Sequence, residues 1–218
     1  MAGCEGVVTT MRKIVIIGAG HLAVDIYDVI VTINRERPIW EVVGFLNDFP
    51  VDMGKYGIRE KVIGPVNGWV PRAGEEYVMA IGNSQAKANL TEMFKRGGAR
   101  FPVIVSRYAM VNDTAVIGEG SVIVSTSKIA RDVKIGRFVT IGDATVGRGA
   151  EIGDFSNLAS YVNVYQDVKV GKRVQLWSNS VILNSVGDDA VVGAGSVVVT
   201  KVKPGIRVFG VPAKKMEF

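Results

Sequence analysis

The sequence predicts an α/β layer with a parallel sheet followed by a β-helix, and three observations carry that expectation. Short aliphatic runs in the first hundred or so residues end in turns bearing glycine or asparagine and alternate with helical segments. From about Val105 onward an aliphatic residue returns every six positions. Half of the sixteen residues in that series are followed directly by glycine, at 118, 136, 142, 147, 153, 171, 187 and 193.

The chain opens on MAGCEGVVTT, which carries Glu5 and no basic cluster, unlike a secretion signal. Residues 1–11 are therefore expected to be a loose leader. The run 14–17 (IVII) ends in GAGH, and a helix is expected to follow through Ile33. A second run, 42–46, ends at Asn47-Asp48. A third, 77–81, ends at Gly82-Asn83, with Ser84 placed to cap a helix through about Lys95. In a parallel sheet, ligands gather at the carboxyl ends of the strands, where these three turns all fall.

The hexad series runs Val111, Ile117, Ile123, Ile129, Ile135, Ile141, then slips by one to Val146, Ile152, Leu158, Val164, Val170, Leu176 and Ile182. A second slip leads to Val186, Val192 and Val198. Neither a helix nor an ordinary strand has period six; a triangular coil with one hexad per side does. Such a stack needs covers at its ends, supplied here by the first domain and by the tail 201–218. The divisions expected are 1–11, 12–104 and 105–218. Val139, Phe155, Leu158, Val162, Leu176 and Trp177 are read as outer-face residues that pack against other copies of the chain.

Composition narrows the function classes. Among 218 residues, 48% are hydrophobic and 22% charged, which describes a folded, water-soluble protein with a cytoplasmic location as the expectation. With 26 glycines but only 7 prolines, glycine serves tight corners rather than disorder. A net charge of +5 suits a phosphorylated ligand and calls for no nucleic acid. Cys4 is the only cysteine and His21 the only histidine, so no internal disulfide forms and no metal is expected. The apolar segment 13–33 is interrupted by His21, Asp25 and Asp28, which argues against membrane insertion.

The stretches IVIIGAGHLAVD (14–25), GFLND (44–48), AIGN (80–83), the hexads, VVGAGSVVVTKV (191–202) and FGVPAKKM (209–216) together resemble a known group. This is the left-handed β-helix, hexapeptide-repeat acetyltransferases of nucleotide-sugar metabolism, which include sialic-acid O-acetyltransferases and UDP- or GDP-amino-sugar N-acetyltransferases. The resemblance implies a Rossmann-like α/β domain, a left-handed parallel β-helix and a homotrimer. It implies acetyl-CoA as acyl donor and a UDP- or GDP-linked amino sugar as acceptor, acetylated for a surface glycan.

Site residues implied by the resemblance fall into three groups. Gly18, Gly20 and His21 approach the ligand phosphates, where a helix N-terminus attracts an anion. Asn47 and Asp48 recognise the base, and Gly82 and Asn83 approach the ribose or phosphates. Glycine turns after strands also occur without any ligand, and GAGH is one glycine shorter than the related loops. For the cofactor, Gly193, Ala194 and Gly195 let it run close to backbone, while Gly210, Pro212, Lys214 and Lys215 meet its far end. Each of these glycines also has a plain reading as a tight corner.

The base that the resemblance implies is a histidine four residues before the isoleucine of IGDF (152–155). That position holds Arg148, and the orienting acid is replaced by Gly149. Arginine stays protonated and cannot act as a base at neutral pH. A second histidine, which helps hold the cofactor, is replaced by Asn157, and glycines expected in the next coil by YVNVYQD (161–167). Three explanations stand side by side. An amine acceptor tolerates the loss of a base, with Arg148 or Asn157 stabilising charge, so N-acetylation is favoured over O-acetylation. Alternatively another base has moved in from Asp143, Asp154, Asp167, Tyr161 or Tyr165. Or catalysis is lost and the chain binds a sugar nucleotide as a scaffold. A different class, an NAD oxidoreductase with Asp48 on the ribose, is disfavoured because Ala23 stands at the third glycine and the β-helix would have no role.

Overall fold

The computed structural model describes residues 11–216, so Cys4 and the leader up to residue 10 lie outside the described residues. The first part contains strands β1 (Arg12–Ile17), β2 (Trp40–Leu46), β3 (Val62–Gly64) and β4 (Glu75–Met79), with helices α1 (His21–Glu36) and α2 (Ser84–Arg96). The sheet is parallel in the order β3-β2-β1-β4.

The IVII run of β1 is wholly buried because both faces of the sheet are covered. Strand alternation sends Ile14 and Ile16 into a core with Ala23, Ile26 and Ile30 of α1. Val15 and Ile17 enter the opposite core with Tyr77, Phe94 and Phe101. The edge strand β3 was not expected; three residues are too few to show alternation.

The second part is a left-handed parallel β-helix built from two-residue strands on three faces. The first face begins at Ile104–Val105 and passes through Val122–Ile123, Thr140–Ile141, Asn157–Leu158, Gln175–Leu176, Val191–Val192 and Arg207–Phe209. The second runs from Met110–Val111 to Val197–Val198, and the third from Val116–Ile117 to Lys169–Val170. The sixteen hexad residues all belong to the β-helix core, fourteen of them fully buried and Val111 and Ile117 at the first coil partly so. Each buried aliphatic contributes about 1.5–3 kcal/mol.

Both slips are absorbed at corners. The first shortens the turn between Ile141 and Thr145, while Thr140 still pairs with Asn157 and Thr145 with Asn163. At the second, Val186 makes single bridges to Val170 and Val202 in place of a two-residue strand. At the far end Lys214–Lys215 turns back antiparallel to Arg207–Phe209.

Two expectations need correcting. Val139, Leu158, Val162 and Leu176 are not outer-face residues but fully buried core. Leu158 and Leu176 belong to the hexad series itself, and Val139 and Val162 stand two positions before a series member, on the same inward side of the strand. Phe155 is partly buried against Phe138, and only Trp177 of the six is exposed, at 53%. The second correction is the cap of α2: it is Asn83, whose Oδ1 accepts from the Ala86 amide at 2.8 Å. Ser84 is the first helical residue and its hydroxyl is turned to other use.

The α/β layer sits directly on the first face of the β-helix. Ile104, Val122 and Val124 join the core under α1. Phe138 packs edge-on against Phe101 at 5.0 Å and stacks on Phe155 at 5.4 Å. Lys95 of α2 pairs with Glu119.

Candidate active site at the junction

The carboxyl ends of β1, β2 and β4 lie side by side, so the turns after them share one edge, as expected. Their residues differ in what the fold already asks of them. Gly18 has φ +112°, and a Cβ there would stand 2.7 Å from the Ala80 carbonyl oxygen, so backbone contact alone demands glycine. Gly20 is exposed, precedes α1, and a Cβ there would meet nothing within 4 Å. His21 opens α1 exposed, with its ring edge-on to Tyr56 at 6.2 Å. Gly20 and His21 thus leave room for an anion at the N-terminus of α1.

Asn47 and Asp48 are engaged locally. Asn47 donates to the Phe49 carbonyl at 2.7 Å. The Asp48 carboxylate accepts from the amides of Val66 and Asn67 and from Asn67 Nδ2, latching the loop after β3. Asn83 is occupied as the α2 cap, while Gly82 is exposed with space around it.

Between the α/β layer and the first face lies a cavity of about 300 Å³, lined by Leu22 and Asp25 of α1, Gly82, Thr140, Asn157, Gln175 and Trp177, among others. Behind its wall is a polar knot. Lys87 of α2, only 1% exposed, sends its amine to Thr140 Oγ1 at 3.0 Å and to Asn157 Oδ1 at 2.6 Å. Asn157 Nδ2 donates to the Gly82 carbonyl at 2.7 Å and to Ser84 Oγ at 3.1 Å. Gln175 Nε2 donates to the same two oxygens, at 3.1 and 2.8 Å. Burial pulls the Lys87 amine down to about 7.

Lys87, Thr140, Ser84 and Gln175 were missed by reading the sequence. A signal was present: Ser84, Lys87, Thr91 and Phe94 are all buried and fall at helical spacing, which puts a lysine in an inward stripe.

Arg148 is elsewhere in the protomer. It follows Thr145–Val146 of the second face and precedes Glu151–Ile152 of the third, so it occupies a corner that does not border the face carrying Asn157. Its guanidinium makes no ion pair or hydrogen bond among the described residues. Gly149 beside it takes φ +68° at that corner.

The replacements that lie close in sequence are thus spread over the triangle. Of the alternative bases, Asp143 and Tyr161 line a second cavity of about 370 Å³ that shares Asp25 with the first and also holds Asp28 and Tyr108. Burial and the nearby Asp28 raise the Asp25 carboxyl, against a smaller lowering by His21. Asp154 accepts from the Arg137 amide and guanidinium, Asp167 is a corner residue with φ +57°, and Tyr165 is exposed.

The expected cofactor residues do come together. Gly193 lies against Phe209, where a Cβ would stand 2.5 Å from the ring. Gly195 is a corner with φ +67°, its amide donating to the Ser178 carbonyl at 2.9 Å, and Ala194 is exposed between them. Gly210 donates to Ser196 Oγ at 3.1 Å, and Pro212 follows a cis bond. Lys214 and Lys215 are exposed, opposite Phe209 and Val208. All lie on or next to the first face, above Trp177. With strands about 4.8 Å apart, the four steps from Asn157 to Lys214 make a strip of about 19 Å.

No group of three or more His, Cys, Asp or Glu among the described residues has the arrangement to hold a metal ion. No helix among them is long and apolar enough to cross a membrane.

Residues 13–94 match the family model of the PglD N-terminal domain. No curated protein matches the chain in sequence. Among solved structures it is similar to the acetyltransferase domain of PglB from Neisseria gonorrhoeae, with TM-score 0.71 and 23% identity, covering 94% of this chain and 100% of that one. PerB from Caulobacter crescentus, in complex with CoA and GDP-perosamine, aligns with TM-score 0.67 and 23% identity over 95% and 99% of the two chains. WeeI from Acinetobacter baumannii gives 0.63 and 19% over 95% and 100%. The chain is therefore an α/β layer matching the PglD N-terminal domain, joined to a left-handed β-helix in the fold shared by these acetyltransferase structures.

Proposed function

We propose that the protein is an acetyl-CoA-dependent N-acetyltransferase acting on a UDP- or GDP-linked amino sugar, with the junction cavity as its reaction site. The observation that carries this reading is the cavity's position. It touches the first turn of α1 through Leu22, the loop after β4 through Gly82, and the β-helix face through Asn157 and Trp177.

A nucleotide held by its phosphates at Gly20 and His21 would extend its sugar into that space. Acetyl-CoA lying along the first face would bring its thioester past Gly193 and Trp177 to the same place, its phosphates near Lys214 and Lys215. The likeness to a PglB acetyltransferase domain solved with acetyl-coenzyme A, and to PerB solved with CoA and GDP-perosamine, supports both ligand classes.

In the homotrimer we propose, Arg148 acts across copies. Its corner lies away from its own junction cavity, and its guanidinium brought to a neighbour's cavity would stabilise the developing oxyanion or the leaving thiolate. The nucleotide is assigned to 12–104 and the acyl donor to 105–218; the change from alternating α/β elements to coils, whose first strand is Ile104–Val105, supports a division near that point.

The test is release of free thiol from acetyl-CoA across a panel of UDP- and GDP-linked amino sugars. Amide product with stoichiometric CoA is expected. Absence of turnover together with absence of acetyl-CoA binding by calorimetry would remove the enzyme reading; sugar-nucleotide binding that survives would leave the chain a scaffold.

A further inference from the structure

Lys87 is a buried titratable group to which the acyl transfer proposed above assigns no part. We infer that Thr140 and Lys87 form a proton relay at the wall of the junction cavity, standing in for a protein base. This deepens the acyl-transfer reading and rests on it.

The geometry fixes the direction of the relay. Asn157 gives both N–H groups to fixed oxygens, the Gly82 carbonyl and Ser84 Oγ, so its Oδ1 must face Lys87. A flipped amide would set its NH2 against the lysine amine. Lys87 therefore gives one N–H to Asn157 Oδ1. As an ammonium it also donates to Thr140; as a neutral amine it has a single lone pair, and the hydroxyl of Thr140 at 3.0 Å is the donor that faces it. Thr140 itself lines the cavity, whereas Lys87 does not, so the hydroxyl that touches the lysine amine links it to the cavity wall.

The amine is suited to the task near neutral pH, because burial brings it down to about 7. Desolvation is the sole cause. The groups that face the amine from the β-helix, Thr140 Oγ1 and Asn157 Oδ1, are both neutral. The charged residue on the cavity wall is Asp25 of α1.

The step balances as follows. The acceptor amine attacks the thioester carbonyl carbon, forming the C–N bond, and collapse of the intermediate breaks the C–S bond. The nitrogen passes one proton to Thr140 Oγ while the Thr140 proton moves to Lys87 Nζ. Return of that proton through the same hydroxyl to the CoA thiolate restores neutral Lys87, leaving amide and free thiol. Lys87 is thus a positioning residue, acting through Thr140.

The experiment is the pH dependence of kcat for the unaltered protein, Thr140→Val and Lys87→Arg, using an amino-sugar nucleotide that turns over. The unaltered protein should show an acid limb with its midpoint near 7. Thr140→Val keeps the shape of the side chain and loses the hydroxyl. It should lower kcat about 100-fold, leave KM within about twofold and abolish that limb. Lys87→Arg, a permanent cation, should behave likewise; if it fails to fold, Thr140→Val decides alone.

A readout independent of turnover is urea unfolding against pH. The folded-state amine is lowered, so between pH 7 and 10.5 the unfolded chain binds the proton that the folded one has lost, and stability from this group rises with pH. Lys87→Met should remove that rise. A folded Thr140→Val with full kcat and an unchanged limb overturns the relay alone. No turnover by the unaltered protein across the panel, together with no acetyl-CoA binding, removes the acyl-transfer reading and the relay with it.

Discussion

Asn157 and Arg148 stand nine positions apart in the chain, yet they occupy opposite kinds of place. Asn157 is locked into a knot with Lys87, Ser84 and the Gly82 carbonyl, on the one face that the α/β layer covers. Arg148 is on a corner between the other two faces, without a side-chain partner among the described residues. In a β-helix nine residues is half a coil, so neighbours in sequence look out in different directions. What gathers a site is the stacking of coils and the element laid against one face, and here that element is α2.

The sharpest way to break this comparison is Arg148→Ala. If a neighbouring copy's corner supplies the cation, kcat should fall about 100-fold with the KM values little changed. Steady-state thiol release in the assembled oligomer measures it. Unchanged turnover would make Arg148 a bystander and confine the chemistry to the knot on the covered face.

A smaller effect separates two glycines of the loop after β1. Gly18→Ala places a Cβ against the Ala80 carbonyl in a left-handed backbone, and should destabilise the fold by about 2–4 kcal/mol. Gly20→Ala meets open space, so stability should be nearly unchanged. Its methyl should instead weaken sugar-nucleotide binding. Urea unfolding and calorimetry on the two variants distinguish a glycine needed by the fold from one left free for a ligand.

Much of the fold was legible because its periods are long and simple. The hexad series located the core strands on all three faces, and IVII announced a strand covered on both sides. The second inward column was misread. Val139 and Val162 precede Ile141 and Val164 by two positions, and strand alternation turns both members of each pair inward. The short edge strand β3 left no pattern, and the cap of α2 fell one residue earlier than Ser84 because the Asn83 side chain reaches the Ala86 amide.

The candidate site was legible only in part. Its glycine loops and the C-terminal lysines announce themselves locally, whereas the knot is made of residues 53 to 93 positions apart. Asn157 was singled out in sequence, but its partner Lys87 is an ordinary lysine until the fold buries it. Asp48, expected on a base, is spent on the loop after β3, which no sequence spacing reveals.

The central claim is that donor and acceptor meet over the covered face. The most direct measurement is a crystal structure of the protein soaked with CoA and a nucleotide-linked amino sugar. The account predicts the CoA sulfur and the acceptor nitrogen in the cavity between Gly82 and Trp177, close enough for the nitrogen to reach the acyl carbon at about 3–3.5 Å. A CoA arm lying instead along the face that runs from Met110–Val111 to Val197–Val198, with the junction cavity empty, would contradict it.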